Sequence, residues 1–335
     1  MRLVKRLLLL ISILVVLISL TGVSNTDIFK SEAEVAKNLF NGLPGTNNQI
    51  LVVKVDDTKY AHPQIGIEDA DIVYVEQVEG GLTRLAVVYT SKLPPLIGPV
   101  RSARISDIEL LTQFGRVGFA YSGAQSKMRP VIAAANLENI SAERNPPTIY
   151  STDPGRPGPF NMILKPDLLL QRANSNPKIK IDTATVAPFV FGEPSKGETL
   201  TASAKVKWPN AKYELRWDAV NSKWLIYFSG QPNLAASGEH LFADTAIIQI
   251  VSITPSIYGD KFGEITPFSK TTGVGKAVML RDGFSYQLNW QRDLETDLTT
   301  WRTANGEIAN FKPGRTWIFL TDTPPVLSPY LPFPV

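Results

Sequence analysis

Acidic and basic side chains concentrate where this chain turns. Between Glu76 and Arg104 it reads EQVEGGLTRLAVVYTSKLPPLIGPVRSAR. Glu76 and Glu79 lie on the approach to Gly80-Gly81, and Arg84 follows on a strand-like run. Arg101 and Arg104 stand three apart just after Gly98-Pro99. Turns carried on a rigid scaffold are where binding and catalytic groups concentrate. Carboxylates beside guanidiniums suit two chemistries. One is acid/base catalysis by Glu79 or Asp56, with the arginines stabilising developing charge. The other is plain capture of an anion. Asp56 ends the run Ile50 to Val55, and an acid at a strand's carboxyl end either faces a site or caps the next turn. Ser122 follows Val117 to Tyr121 as a hydrogen-bond donor or a nucleophile. No G-x-S-x-G surrounds it, and His62 and His240 are the only histidines, so the pattern is not that of a serine hydrolase.

The elements that would hold these groups are legible. Ile50 to Val55 is a short, nearly continuous apolar run, as in a strand buried on both faces. Asp71 to Gln77 and Leu82 to Thr90 are rich in β-branched and aromatic residues and read as strands. Glu79-Gly80-Gly81 joins them, because glycine takes positive φ without steric cost. With that loop, Val78 faces Leu82 and Glu76 faces Arg84, an opposite-charge cross-strand pair that fixes register. Glu79, at the tip, is freer to meet a ligand. Ile105, Ile108, Leu111 and Phe114 recur at helical spacing, and Ser106-x-x-Glu109 fits a capping box. Two arginines at a helix start oppose its dipole. They make sense with a ligand anion at the free N–H groups, or with each paired to a carboxylate of the hairpin. A helix is predicted from Lys127 to Ala135 and another over Pro166 to Asn174, with a Pro, Gly and Arg-rich loop between, from Asn145 to Pro159.

The frame is a chain of 335 residues, 44% hydrophobic, enough for one large or two medium domains. Its net charge of +3, with basic residues scattered, gives no case for nucleic acid. It has no cysteine, which excludes disulfides, thiolate metal sites and a catalytic thiol. No metal-ligand constellation and no cofactor motif is present. Residues 1–24 read as a targeting segment: Arg2, Lys5 and Arg6, then an apolar run from Leu7, then small residues at Gly22 and Ser24. A cleaved signal peptide and an uncleaved anchor fit equally; either exports the rest and confines membrane contact to this segment. Leu20-Thr21-Gly22 is followed by Val23 where a lipoprotein signal needs cysteine. Residues 25–48 read as a spacer, 49–176 as an α/β domain, 200–322 as a mostly β domain and 323–335 as a loose Pro-rich tail. All six tryptophans fall after residue 200, among alternating strand patterns such as Tyr213 to Trp217 and Lys223 to Phe228. Gly273-x-Gly275-Lys276 lacks P-loop spacing and reads as a β-turn.

Several motifs together resemble the YerB-like family of bacterial envelope domains. They are Gly66-Ile67-x-x-Ala70-Asp71-Ile72-Val73-Tyr74, Val78-Glu79-Gly80-Gly81-Leu82-Thr83-Arg84, Ile97-Gly98-Pro99-Val100-Arg101-Ser102-Ala103-Arg104 and Tyr121-Ser122-Gly123. Gly273-Val274-Gly275-Lys276-Ala277 and Lys312-Pro313-Gly314-Arg315-Thr316-Trp317 extend the likeness, which covers roughly residues 41–320. The resemblance implies a layered α/β sandwich, often on a lipoprotein, and no established activity. Members typically carry Pro-His-Asn where this chain has Pro159-Phe160-Asn161, so Asn161 joins the candidate ligand-binding residues while the histidine is absent. Three readings stay open. One is a binding module for an anionic small ligand or a glycan of the envelope. A second is a hydrolase or transferase acting on a wall polymer. The third is an adaptor for a membrane or envelope protein, which the tryptophans suit, though they suit a β core as well.

Overall fold

The computed structural model describes residues 35–260 and 262–330. The targeting segment lies outside them. Among the described residues no helix is long and apolar enough to cross a membrane.

Side chains alternate across a strand, and the central strands are apolar on both sides. In β1 (Leu51–Asp56), β2 (Ile72–Gln77) and β3 (Thr83–Tyr89), Val53, Val55, Val73, Val75, Leu85 and Val87 join one core. Val52, Ile72, Tyr74, Ala86 and Val88 join the other. The first face is covered by Trp208, Tyr213, Leu215 and Trp224 from the aromatic strands of the second half. The second is covered by helix α1 (Ile105–Thr112), through Leu110 and Leu111, together with Phe114, Phe311 and Trp290.

One sheet carries both halves of the chain. β1 pairs antiparallel with β3 and parallel with β4 (Val117–Ala120), which pairs with β5 (Leu137–Asn139). On its other side β2 runs parallel to the strand Thr316–Thr321, which in turn runs parallel to Thr245–Ile250. The sheet continues through Gly273–Arg281 and Phe284–Arg292 to Glu198–Trp208, Ala211–Asp218 and Lys223–Phe228. The architecture is therefore mostly β. The expected α/β layering of the first half is limited to α1, the short α2 (Arg129–Ala134) and α3 (Pro166–Asn174).

Three expectations need revision. The spacer is not loose throughout: Phe40 is buried, and Asn41 donates to Asp71 at 2.7 Å. The Pro-rich tail includes a strand, Val326–Pro329, because an edge of Glu198–Trp208 is open to receive it. Gly273 to Lys276 is strand rather than turn. A side chain at Gly275 would come within 2.5 Å of the Trp290 ring, so glycine there allows close packing.

Candidate functional site

The hairpin forms in the expected register: Val78 N–H donates to Leu82 O, and Glu76 stands opposite Arg84. Gly81, at φ +67°, has no room for a Cβ, which would lie 2.5 Å from Pro209. Asn210 locks the tip by donating to Gly80 O at 2.6 Å and Gly81 O at 2.8 Å. The backbone beyond Gly98-Pro99 is strapped to the end of β1, with Asp56 N–H donating to Pro99 O and Arg101 N–H to Lys54 O. Ser122 N–H then donates to Arg101 O. These links bring the two ends of the Glu76–Arg104 stretch to one place.

The start of α1 departs from the expected cap. Asp107 accepts from Arg104 N–H at 2.5 Å. Ser106 and Glu109 turn instead to the second half of the chain: Ser106 Oγ accepts from Ser269 N–H at 2.9 Å, and Glu109 accepts from both N–H and hydroxyl of Thr271. The helix is thus fastened beside the strand Ile265–Lys270.

Glu76 and Arg84, opposite in register, do not form an ion pair. Glu76 accepts from Lys54 Nζ at 2.5 Å, and Asp107 accepts from the same ammonium at 2.7 Å, all three fully buried. Burial, and then Asp107 beside it, push Glu76 up to about 8 against the pull of Lys54, so at neutral pH its carboxyl keeps a proton. Arg101 Nε donates to Asp56 at 2.5 Å, and Arg104 Nε donates to Glu79 at 2.8 Å. Each expected helix-start arginine therefore pairs with a carboxylate. Arg84 is left over. Its Nη1 donates to Ser102 O at 3.0 Å, while its buried Nε has no partner among the described residues. Burial, then Arg104 and Arg101, push it down to about 9.

Above these groups opens a polar cleft of about 640 Å³. Glu79, Arg84, Arg101, Arg104, Ser102 and Ser122 line it, as do Gln125 and, from the second half, Asp260 and Thr266. Asp56 lies beneath it, fully buried. Asn161 is not among the lining residues, although its neighbour Phe160 places its ring 5.6 Å from the Arg101 guanidinium carbon.

The chemistry of the lining is uneven. Burial raises the proton affinity of Glu79, but Arg104 and the Thr266 hydroxyl outweigh it and hold the carboxyl below its ordinary value. Ser102 Oγ and Ser122 Oγ stand 3.4 Å apart, with no histidine lining the cleft. His62 packs elsewhere, stacked on Phe228 and 3.0 Å from Asn233. His240 Nε2 lies 2.8 Å from Ile226 O, and its backbone bridges to Leu234. Arg84, Gln125, Thr266 and Asp260 were not predicted to belong here. Arg84 was hidden by its apparent partner. The last two come from beyond residue 250 and carry no local signal.

Comparison with known proteins gives a consistent picture. Residues 41–180 match the family described as "Protein of unknown function (DUF3048) N-terminal domain", and residues 204–318 match its C-terminal domain. A protein of Bacillus subtilis (strain 168) named "Putative lipoprotein YerB" is 36% identical over 78 residues. That match spans 23% of this chain and 23% of the relative. The crystal structure of YerB protein from Bacillus subtilis superposes with a TM-score of 0.73 at 20% identity, covering 88% of this chain and 99% of that one. At such identity the likeness establishes the fold.

Proposed function

The chain belongs to the YerB-like DUF3048 family of unknown function, and on that footing we propose that it is an exported envelope protein whose cleft binds an anionic ligand, a glycan or another envelope polymer among the candidates. The observation that carries this reading is the convergence of Arg84, Arg101 and Arg104 in one open, polar cleft that contains hydroxyls and no histidine. Guanidiniums in a partly desolvated cleft attract oxyanions by charge-assisted hydrogen bonds. The targeting segment at residues 1–24 and the relative's lipoprotein name support an extracytoplasmic location, with the N-terminal segment as the membrane contact.

Binding is favoured over catalysis. A general acid works best with a pKa near the operating pH, and Glu79 is held in the opposite direction by Arg104. Asp56 is sealed under Arg101. Incubating the purified protein with isolated wall polymers tests the reading: binding depletes protein from solution and releases nothing. New reducing ends or soluble fragments would overturn it in favour of a hydrolase or transferase.

A further inference from the structure

We infer that the cleft takes one singly charged oxyanion on a hydroxylated body, such as a phosphodiester-linked polyol or a uronic sugar, with Arg84 receiving the charge and Gln125 accepting from a neighbouring hydroxyl. This rests on the anion-binding reading and narrows its ligand.

The charge count sets the valence. Arg101 is matched by Asp56 and Arg104 by Glu79. Lys54 is held by both Glu76 and Asp107 in a fully buried trio, so it offers the cleft no free cation. Arg84 is the one cation at the floor with no carboxylate in ion-pair contact among the described residues. It is 7% exposed, and its Nε lacks a hydrogen-bond partner among the described residues. A buried guanidinium N–H without an acceptor costs more than most unmade hydrogen bonds, and an oxyanion entering the cleft would satisfy it. At the rim Asp260 opposes a second negative charge; Glu143 is held by Arg129 at 2.6 Å.

The remaining polar groups describe the ligand's body. Gln125 Oε1 is buried and without a partner among the described residues, so it needs a donor, which an oxyanion lacks and a hydroxyl supplies. The Ser102 and Ser122 hydroxyls, 3.4 Å apart, can donate to the anion or accept from the body. A bare anion leaves Gln125 unsatisfied and a neutral polyol leaves Arg84 so. A ligand carrying both groups satisfies each.

Titration calorimetry on the full chain in detergent, at low salt, tests this with four probes. Glycerophosphoglycerol and glucuronate carry one charge and hydroxyls; dimethyl phosphate carries the charge alone; glycerol carries hydroxyls alone. At least one of the first two is expected to bind one per chain, about tenfold or more tighter than glycerol, which lacks the hydrogen bond to a charged group, and about fivefold tighter than dimethyl phosphate, which lacks the neutral one to Gln125. Arg84→Gln should abolish the preference for anions. Gln125→Leu should bring the hydroxylated anion down to the level of dimethyl phosphate. In the unmodified protein, the Arg84 Nε–H resonance should shift on titration, a readout independent of whether Arg84→Gln folds. Equal binding of dimethyl phosphate and glycerophosphoglycerol would overturn the hydroxylated body while leaving an anion site. Failure of every anion to bind, with no shift at Arg84, would remove both.

Discussion

Asp56 and Asp57 are neighbours at the end of β1, yet they anchor two opposite constructions. Asp56 faces the arginine cleft and meets the Arg101 guanidinium. Asp57 is nearly as buried and is surrounded by hydroxyl and amide donors. The Tyr213 hydroxyl lies 2.7 Å from both its oxygens; the Thr83 hydroxyl donates to Oδ2 at 2.5 Å and the Gln64 amide to Oδ1 at 3.1 Å, with His62 Nε2 3.3 Å from Oδ1. Around Asp57, donors from distant parts of the chain converge and a carboxylate is saturated in place. Around Asp56, cations outnumber the acids that hold them. The difference separates a joint from a site: at the first the carboxylate is saturated by donors, although Gln64 Oε1 beside it has no partner among the described residues, and the second leaves a cation, Arg84, without a carboxylate.

The strongest way to break that comparison is Asp57→Ala. Removing a buried acceptor of three donors should cost about 3 kcal/mol or more, read by urea unfolding, while anion affinity of the folded fraction stays unchanged. A loss of affinity with full stability would merge the two regions into one site.

Next in size is the pH dependence around Glu76. Its folded pKa of about 8 lies above the ordinary 4.5, so between these values the folded state holds a proton that the unfolded state has lost. Its contribution is fully present below pH 4.5 and is lost as pH rises through 8. The melting temperature should therefore drop across that window, and Glu76→Gln should flatten the slope. A slope unchanged by the substitution would place the titration elsewhere.

The smallest expected effect is at Glu79. Glu79→Gln removes the charge that faces Arg104 in a buried pair but keeps an acceptor there, at a cost of about 1.5 kcal/mol. Anion affinity should rise several-fold. If affinity falls instead, Glu79 contacts the ligand directly and the cleft is not a simple cation surplus.

Much of this was legible from local patterns. The hairpin register follows from Gly80-Gly81, and α3 spans the residues its pattern predicts. Local pattern also placed Glu79, Arg101, Arg104 and Ser122 together. It failed where a side chain chooses among partners from different elements. Register puts Glu76 opposite Arg84, but Lys54 from β1 and Asp107 from α1 reach the carboxylate's side of the sheet, and Glu76 joins them. A lysine inside an otherwise apolar strand was the available clue, because a buried ammonium requires an acid. Thr266 and Asp260 reach the cleft only through tertiary contacts, and no periodicity announces that.

The parallel pairing of Thr316–Thr321 with β2 has a consequence for how the molecule is made. As the chain emerges from its N-terminus, β2 is complete long before the strand that covers its outer edge exists. Thr245–Ile250, on the far side of the same gap, must wait as well. Uncovered strand edges pair with whatever extended chain is near, and contacts this distant in sequence form slowly. For most of its synthesis the protein therefore carries a slot in its sheet that Thr316–Thr321, near its C-terminus, must win against competitors. Premature termination upstream of Thr316 would yield a chain whose first half is correctly patterned and still prone to aggregate.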